Sequence, residues 1–384
     1  MLKRLYAGIC ILGICVAFFA YNMDLAISDN PMPSTTVSTT TVPPAPKGQV
    51  RFVNPDPELQ AAWERIATAY TEKTGIPVDI IPEKESAGIK PTLFTVADAQ
   101  ELENYANVCV DLAGTNATHH LDWSLTLYDG KKMCGLPARA EGFGLIYNAE
   151  LLRKAGQTPG DITSFGKLKE VAQHISTTSS LKFEPFAGME EGGSALALLT
   201  GMPGDIRQFW DLYMGNSASG LVTEDGSNPT LELLEGKVAF CIGGTREYGL
   251  FSTMSENNLN ILPLYIGMES EAKQGLCVRV DSYWCVRSDI SKSDINATLD
   301  FLDYLLHPVE GVAPVDNLEV FTPYATATYY SSPLEKTLRE QIAAGKKLVV
   351  FSKIAAPEGV TEALAAYSAD PTDENWAAVA AMLA

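Results

Sequence analysis

The chain has 384 residues, of which 46% are hydrophobic and 20% are charged, a composition typical of folded globular proteins. A chain of this length is too long for one hydrophobic core, so we expect two domains. Its 47 acidic and 28 basic residues give a formal net charge of −19, which argues against nucleic acid and anionic lipid surfaces as partners.

The N-terminus is typical of an exported protein. Lys3 and Arg4 precede an apolar run over residues 5–20, as in a secretory signal. We assign residues 1–28 to a signal peptide or membrane anchor. Three outcomes stay open: cleavage after Ser28, retention as an anchor, and lipidation of Cys15 or Cys10. Lipidation needs a small residue before the cysteine, whereas an isoleucine precedes each of these two. Residues 29–48 are a Ser/Thr/Pro linker. We therefore expect a protein at the extracellular or periplasmic face of the cytoplasmic membrane.

The following segment predicts a β-α-β unit. Residues 49–54 alternate polar and apolar side chains, as in a strand, and apolar residues then recur at helical spacing from Leu59 to Tyr70. Gly75 is a candidate helix cap, and residues 78–81 predict a second strand. A helical crossover of this kind implies that the two strands pair in parallel.

Strands and helices continue to alternate along the chain. Further strands are predicted at residues 92–96, 135–148, 238–242 and 283–286, a helix at 296–306, and mainly helices from Leu334 onward. This order predicts an α/β fold with several helices around two sheets.

Five cysteines remain outside the N-terminal segment, at positions 109, 134, 241, 277 and 285. An odd number allows at most two disulfides, so we expect at least one thiol. Cys277 and Cys285 flank a short segment and are our candidate disulfide, while Cys109 and Cys134 flank a longer one. No cysteine or histidine spacing predicts a metal site.

No motif predicts catalysis. The sequence lacks GxxxxGK[ST] and GxSxG, and no GxGxxG follows a strand. Glu190 and Glu191 could form a glycosidase pair, but adjacent side chains diverge. We expect no catalytic residue, metal or cofactor, which favours binding over an enzymatic activity.

Three segments together carry a family resemblance: CGLPARAEGFGLIYNAELLRKAG, LLEGKVAFCIGGTREYGL and SYWCVRSDISKSDINATLDFLDYLL. They resemble extracellular solute-binding protein family 1, the maltose-binding-protein-like sugar-binding subunits of ABC transporters, and the likeness covers most of residues 49–330. It implies a two-lobed, periplasmic-binding-protein-like (type II) fold with a ligand cleft between the lobes. Lobe 1 would comprise residues 49–140 plus 283–323 and lobe 2 residues 141–282 plus 324–384, with crossovers near Glu141, Asp281 and Phe321.

The resemblance also implies ligand-binding residues. Glu141 matches a carboxylate that faces the sugar, Asp98 falls where another acid is often found, and Arg246 stands where many members carry a stacking aromatic ring. Tyr283 and Trp284 are adjacent on a strand, so only one can face the cleft; we prefer Tyr283 and keep Trp284 as the alternative. The remaining candidates are Asn54, Phe143, Tyr248, Asp281 and Tyr324.

The function expected from the resemblance is capture of a carbohydrate, an oligosaccharide in particular, by lobe closure, with delivery to the permease subunits of an ABC importer. We expect a monomer. The alternatives are the same fold binding an anion, a peptide or a chelate, for which Arg246 is the clue, and a sensory ligand-binding subunit. A secreted glycosidase has the least support.

Overall fold

The computed structural model describes residues 47–190, 206–222, 228–251, 258–267, 275–346, 348–350 and 357–383. The predicted signal peptide or anchor and nearly all of the predicted linker lie outside these residues. Within these ranges, no helix is both long enough and apolar enough to cross a membrane.

The structure alternates strands and helices, as the sequence predicts. The strands are β1 (Val50–Asn54), β2 (Val78–Pro82), β3 (Leu93–Val96), β4 (Leu127–Asp129), β5 (Lys132–Asn148), β6 (Glu184–Phe186), β7 (Met189–Glu190), β8 (Leu221–Val222), β9 (Val238–Gly244), β10 (Leu259–Leu262), β11 (Leu276–Val286) and β12 (Leu348–Val350). The helices are α1 (Gln60–Thr74), α2 (Ala99–Leu102), α3 (Ala149–Lys154), α4 (Phe165–Thr177), α5 (Ile206–Met214), α6 (Pro229–Leu234), α7 (Lys292–Leu306), α8 (Pro333–Ala343), α9 (Val360–Ala369) and α10 (Asp373–Leu383).

The predicted β-α-β opening is confirmed. β1 and β2 pair in parallel, with Val50 opposite Val78. α1 ends at Gly75, whose φ of 70° is left-handed and whose backbone N–H donates to the carbonyl of Thr71 at 2.8 Å. A glycine adopts this conformation at little cost because it has no Cβ, which explains where the helix stops.

Two long strands, β5 and β11, run through the middle of the molecule. The main sheet has the order β2-β1-β3-β11-β5-β9-β6, and β5 also pairs with β4 and β10. At its C-terminal end β11 pairs with β3, whereas at its N-terminal end it pairs with β12. Both strands therefore belong to two parts of the fold at once.

Each of these parts has its own hydrophobic core. One core joins α1 and α7 to β1 and to the end of β11, through residues such as Phe52, Trp63, Trp284 and Phe301. The other joins α4 and α5 to β5, β6 and β9 through residues such as Phe165, Trp210 and Phe240. The α/β fold with two lobes predicted from the sequence is confirmed. The prediction of two main sheets is wrong, because β5 and β11 run through both lobes and join ten strands into one sheet, while β7 and β8 form a separate two-stranded sheet.

The predicted disulfide between Cys277 and Cys285 is wrong. Both cysteines lie on β11, eight residues apart on one extended strand, and at about 3.4 Å per residue their backbones are about 27 Å apart. A disulfide requires Cα atoms no more than about 7 Å apart. The short segment between them is a continuous strand with an irregular register near Ser282, rather than a turn.

Candidate ligand-binding site

Four charged side chains meet where β5 and β11 run side by side. Arg279 of β11 lies directly opposite Glu141 of β5 in the antiparallel pairing, and Asp281 follows two residues later on β11. The register of β11 shifts between Val280 and Ser282, and the side chains of Arg279 and Asp281 lie on the same side, where they share a hydrogen bond. Arg246 comes from a 3-10 turn, Thr245–Phe251, that begins directly after β9.

The pairing of β9 with β5 carries Arg246 to this cluster. Phe143 of β5 lies opposite Gly244, the last residue of β9, so the chain that follows Gly244 passes over the neighbouring Glu141. A side chain at position 244 would not fit, since a Cβ there would be 2.3 Å from Oε1 of Glu141 and 3.0 Å from Cε1 of Phe143. Glycine therefore allows the turn to approach the buried carboxylate.

The four charges form a closed network. Arg279 donates from Nη2 to Oε2 of Glu141 at 2.7 Å and from Nε to Oδ1 of Asp281 at 2.9 Å. Arg246 places Nη1 3.5 Å from Oε2 of Glu141, and its Nη2 donates to Asp281. Each guanidinium contacts both carboxylates, and each carboxylate contacts both guanidiniums.

Exposure differs sharply within this network. The side chain of Glu141 is only 7% exposed, that of Arg279 is 18% exposed, and that of Arg246 is 37% exposed. Burial raises the pKa of Glu141 above its ordinary value, and the nearby Arg246 and Arg279 oppose that rise. Arg246 is thus the member of the network that solvent reaches most easily.

Two neighbouring cavities open beside the network. The first has a volume of about 340 Å³, and its lining includes Arg246, Tyr248, Thr245, Glu319 and Tyr329. The second has a volume of about 280 Å³, and its lining includes Asn54, Trp63, Ser282 and Trp284. Both are lined by Arg139 and Val320, so the two cavities adjoin.

A third chain segment forms the wall of the first cavity. Phe321 accepts a hydrogen bond from the backbone N–H of Ala140 at 3.0 Å, which places it beside the residue before Glu141. The segments predicted as crossovers, near Glu141, Asp281 and Phe321, are therefore adjacent. Arg339 of α8 holds the third segment by donating to the carbonyls of Thr322 and Tyr329 at 2.6 and 2.8 Å.

The predicted ligand residues fall into three groups. Glu141, Arg246 and Asp281 form the charged network, with Tyr248 in the adjoining cavity and Phe143 stacked 5.0 Å from the Arg279 guanidinium. Asn54 and Trp284 line the second cavity. Asp98, Tyr283 and Tyr324 lie elsewhere.

The positions of these last three residues have plain physical reasons. Asp98 is exposed and accepts a hydrogen bond from the Glu101 backbone N–H at 2.8 Å, as a cap of α2. Tyr283 packs on the face of β11 opposite to Trp284, where burial raises its pKa to about 12. Tyr324 is fully buried in the core that contains Trp63, so its ring contacts protein rather than a cavity.

Sequence reasoning missed Arg279, which contacts both carboxylates of the network. The sequence predicts this strand only from residue 283 onward, whereas β11 begins at Leu276, so Arg279 and Asp281 were not placed together on a strand. Glu319 was also missed; it lines the first cavity and has a φ of 55°, a left-handed conformation that is uncommon outside glycine. Among the described residues, no group of three or more His, Cys, Asp or Glu side chains is arranged to hold a metal ion.

Two lobes share the long strands β5 and β11, and two cavities lie beside the shared strands. The chain matches the family model described as bacterial extracellular solute-binding protein over residues 65–344, and it belongs to that family. No curated protein matches the chain by sequence.

Solved structures show the same fold at low sequence identity. A family 1 extracellular solute-binding protein from Bifidobacterium longum subsp. infantis has 15% identity and a TM-score of 0.59 over 86% of this chain and 100% of its own. The cyclic alpha-maltosyl-1,6-maltose binding protein from Arthrobacter globiformis has 16% identity and a TM-score of 0.57 over 88% and 98%. The apo form of RafE from Streptococcus pneumoniae has 13% identity and a TM-score of 0.60 over 92% and 98%, and RafE is also solved in complex with raffinose.

Proposed function

We propose that this protein captures an uncharged carbohydrate, an oligosaccharide in particular, in the two cavities beside Glu141 and delivers it to the permease of an ABC importer. The observation that carries the proposal is the balanced network of two carboxylates and two guanidiniums at the edge of the first cavity. Sugar-binding proteins with the same fold, such as RafE with raffinose, support the class of ligand.

Charge balance in the network favours a neutral ligand. Glu141 and Asp281 carry two negative charges, and Arg246 and Arg279 carry two positive ones. An anionic ligand at Arg246 would lie close to Glu141 and Asp281, and these two carboxylates would repel it. Arg246, the clue for an anionic solute in the sequence, is thus neutralised by its neighbours.

Sugar hydroxyls suit this network because each hydroxyl both donates and accepts hydrogen bonds. A carboxylate has about four lone-pair sites, and a guanidinium has five N–H donors, so both kinds of group have capacity left after pairing with each other. A polyol can therefore add bonds to Arg246 and Asp281 without breaking the ion pairs. Such bonds are charge-assisted and stronger than those between neutral groups.

The cavities also offer apolar surface and room. Tyr248 and Tyr329, both half-buried, line the first cavity and can present a ring face; Trp284 and Trp63 line the second cavity but are almost fully buried. Aromatic rings pack on the C–H faces of sugars, while the polar groups around them bind the hydroxyls. The two adjoining volumes of about 340 and 280 Å³ together fall within the range of about 300–1,000 Å³ typical of small-molecule sites, which favours more than one sugar ring.

The test of the ligand class is a thermal-shift screen of the purified protein. We expect neutral oligosaccharides to raise Tm, while sulfate, phosphate, uronic acids and peptides leave it unchanged. Native mass spectrometry of the protein as purified would give the mass of a ligand that survives isolation. A stabilising anion with no stabilising sugar would contradict the proposal and favour the anion alternative.

Two matched variants link binding to the network. Glu141→Gln removes a buried carboxylate of the network, and we expect it to abolish the sugar-induced shift. Glu232→Gln removes an equally buried carboxylate, which accepts from the Gly188 backbone N–H and from Ser219 at 3.1 and 2.6 Å, away from both cavities. The second variant should lose stability but keep the sugar-induced shift.

The transport role needs a separate experiment. In cells that lack this protein, uptake of the identified sugar should fall, and the wild-type chain but not Glu141→Gln should restore uptake. Unchanged uptake together with a lost response to the sugar would instead indicate a sensory subunit. Turnover of the sugar by the purified protein would point to an enzyme.

A further inference from the structure

Three cysteines lie together in one small core, far apart in the sequence. Cys109, Cys134 and Cys285 are at most 1% exposed and pack in the same cluster with Phe94 and Leu102. Cys241 and Cys277 belong to other cores. Because the family is extracellular, the chain works in surroundings where neighbouring thiols are oxidised.

The backbone holds Cys109 against both of the long strands. Val110 donates to the carbonyl of Val286 at 2.8 Å, and Leu112 donates to the carbonyl of Met133 at 2.8 Å. Cys109 lies opposite Arg287 in an antiparallel bridge, and Cys285 is two residues before Arg287 on the same face. Cys109 and Cys285, both thiols in this structure, are therefore diagonal neighbours, and a hydrogen bond between their side chains brings the two sulfur atoms together.

The three thiols differ in acidity. A hydrogen bond with Cys285 lowers the pKa of Cys109, while that same bond and burial raise the pKa of Cys285. Burial raises the pKa of Cys134 to about 11. The thiolate is the reactive form in disulfide exchange, so Cys109 is the thiol best suited to attack a disulfide first.

We propose that Cys109 and Cys285 form a disulfide bond when the chain folds outside the cytoplasm, and that Cys134 remains a thiol. The oxidant is a small-molecule or protein disulfide. The Cys109 thiolate attacks one of its sulfur atoms and releases the first thiol; the Cys285 thiolate then attacks Sγ of Cys109 and releases the second. Two thiols of the chain each lose a proton, and two electrons pass to the oxidant, which leaves as two thiols.

This bond would tie together two distant parts of one lobe. The chain leaves the core of α1 and α7 along β5, builds the second core, and returns along β11, so a Cys109–Cys285 bond closes a loop of roughly 180 residues. Closing so long a loop restricts the unfolded chain strongly, which stabilises the folded state. Cys134, at the start of β5, stays buried beside the bond.

Peptide mapping of the full chain from an exporting host tests the proposal. The protein is denatured in the presence of N-ethylmaleimide, digested without reductant and analysed by mass spectrometry. We expect one peptide pair joined through Cys109 and Cys285, with Cys134, Cys241 and Cys277 alkylated. Alkylated Cys285, or a bond between Cys109 and Cys134, would overturn the proposal.

Thermal unfolding supplies a second measurement. Dithiothreitol should lower the Tm of the exported wild type and of Cys134→Ser by about 5 °C. Cys109→Ser should show the same Tm with and without the reductant. Cys241→Ser replaces a buried thiol of another core and serves as the control: dithiothreitol should lower its Tm as it does for the wild type. If dithiothreitol does not lower the Tm of the wild type, the proposal is wrong, even where Cys109→Ser fails to fold.

Discussion

Arg279 of β11 lies directly opposite Glu141 of β5, and its Nη2 is 2.7 Å from Oε2 of Glu141. This ion pair joins the two longest strands of the described residues at the point where both pass from one core to the other. Arg279 also stacks over Phe143 and contacts Asp281. One side chain thus connects the charged network to both strands.

Replacing Arg279 by alanine should lower the free energy of unfolding by about 2–3 kcal/mol, because Glu141 and Asp281 each lose a partner while remaining near each other. Arg246, at 37% exposure, can compensate only in part. Urea unfolding measures the loss. Arg287→Ala removes an arginine from an ion pair with the more exposed Asp289 and should cost less than about 1 kcal/mol; equal losses in the two variants would argue against a special role for Arg279.

Glu141 should make ligand binding sensitive to pH. Its pKa lies above the ordinary value of a glutamate because of burial, so on acidification it becomes neutral before an exposed glutamate does. If sugar hydroxyls donate to the carboxylate, protonation of Glu141 weakens binding. As the pH is lowered, the affinity of the wild type should therefore begin to fall at a higher pH than the pKa of an ordinary glutamate would give. Titration calorimetry from pH 7 to 4 measures this fall, and Glu141→Gln should bind weakly at every pH.

The same group acts on stability with the opposite sign. A carboxyl with a raised pKa binds its proton more tightly in the folded than in the unfolded state. Its contribution to stability is fully present below the unfolded pKa and is lost as pH rises through the folded pKa. As pH rises, the unfolding free energy of the wild type should therefore fall relative to that of Glu141→Gln. A difference between the two that does not change with pH would contradict the raised pKa.

Gly244 is the position where a single methyl group should damage the site. A Cβ at this position would collide with Oε1 of Glu141 at 2.3 Å, and the buried carboxylate has little room to move. Gly244→Ala should lower the free energy of unfolding by about 1–3 kcal/mol and weaken sugar binding at the same time.

Gly249 supplies the matched control for stability. It lies in the same turn, and a Cβ built on it meets nothing within 4 Å. Gly249→Ala should change the free energy of unfolding by less than about 0.5 kcal/mol. If urea unfolding shows that Gly244→Ala costs as little stability as Gly249→Ala, the close approach of the turn to Glu141 does not require a glycine at position 244.

Local patterns in the sequence predict the elements well. The alternation over residues 49–54, the helical spacing through Trp63 and Tyr70, and the glycine at position 75 each report on neighbours in the chain, and β1, α1 and its end follow them. Glu141, Asp281 and Phe321 were found by resemblance, and they lie on three segments that are adjacent in space.

Contacts between distant segments are harder to predict. The pairing of Arg279 with Glu141 depends on the register between β5 and β11, which no local pattern fixes. The neutralisation of Arg246 by Glu141 and Asp281 depends on the same register. The disulfide prediction failed because closeness in sequence was taken for closeness in space. Cys277 and Cys285 lie near opposite ends of one continuous strand, and a strand separates its ends nearly as far as the chain allows.

Arg339 supports the chain segment that forms the wall of the first cavity. It is 6% exposed, donates to the carbonyls of Thr322, Tyr324 and Tyr329, and lies 4.2 Å from the centre of the Phe321 ring. A lysine keeps the charge but has no planar fork, so Arg339→Lys should leave carbonyls unpaired and lower the free energy of unfolding by about 2–4 kcal/mol.

The effect on binding separates a positioning role for Arg339 from a purely structural one. Phe321 and Tyr329 line the first cavity, so a looser wall should weaken the sugar even at temperatures where Arg339→Lys is fully folded. Lys336→Ala, an exposed change on the same helix, should leave stability within about 0.5 kcal/mol of the wild type. Calorimetry on folded samples decides: unchanged sugar affinity in Arg339→Lys would mean that Arg339 stabilises the fold without shaping the cavity.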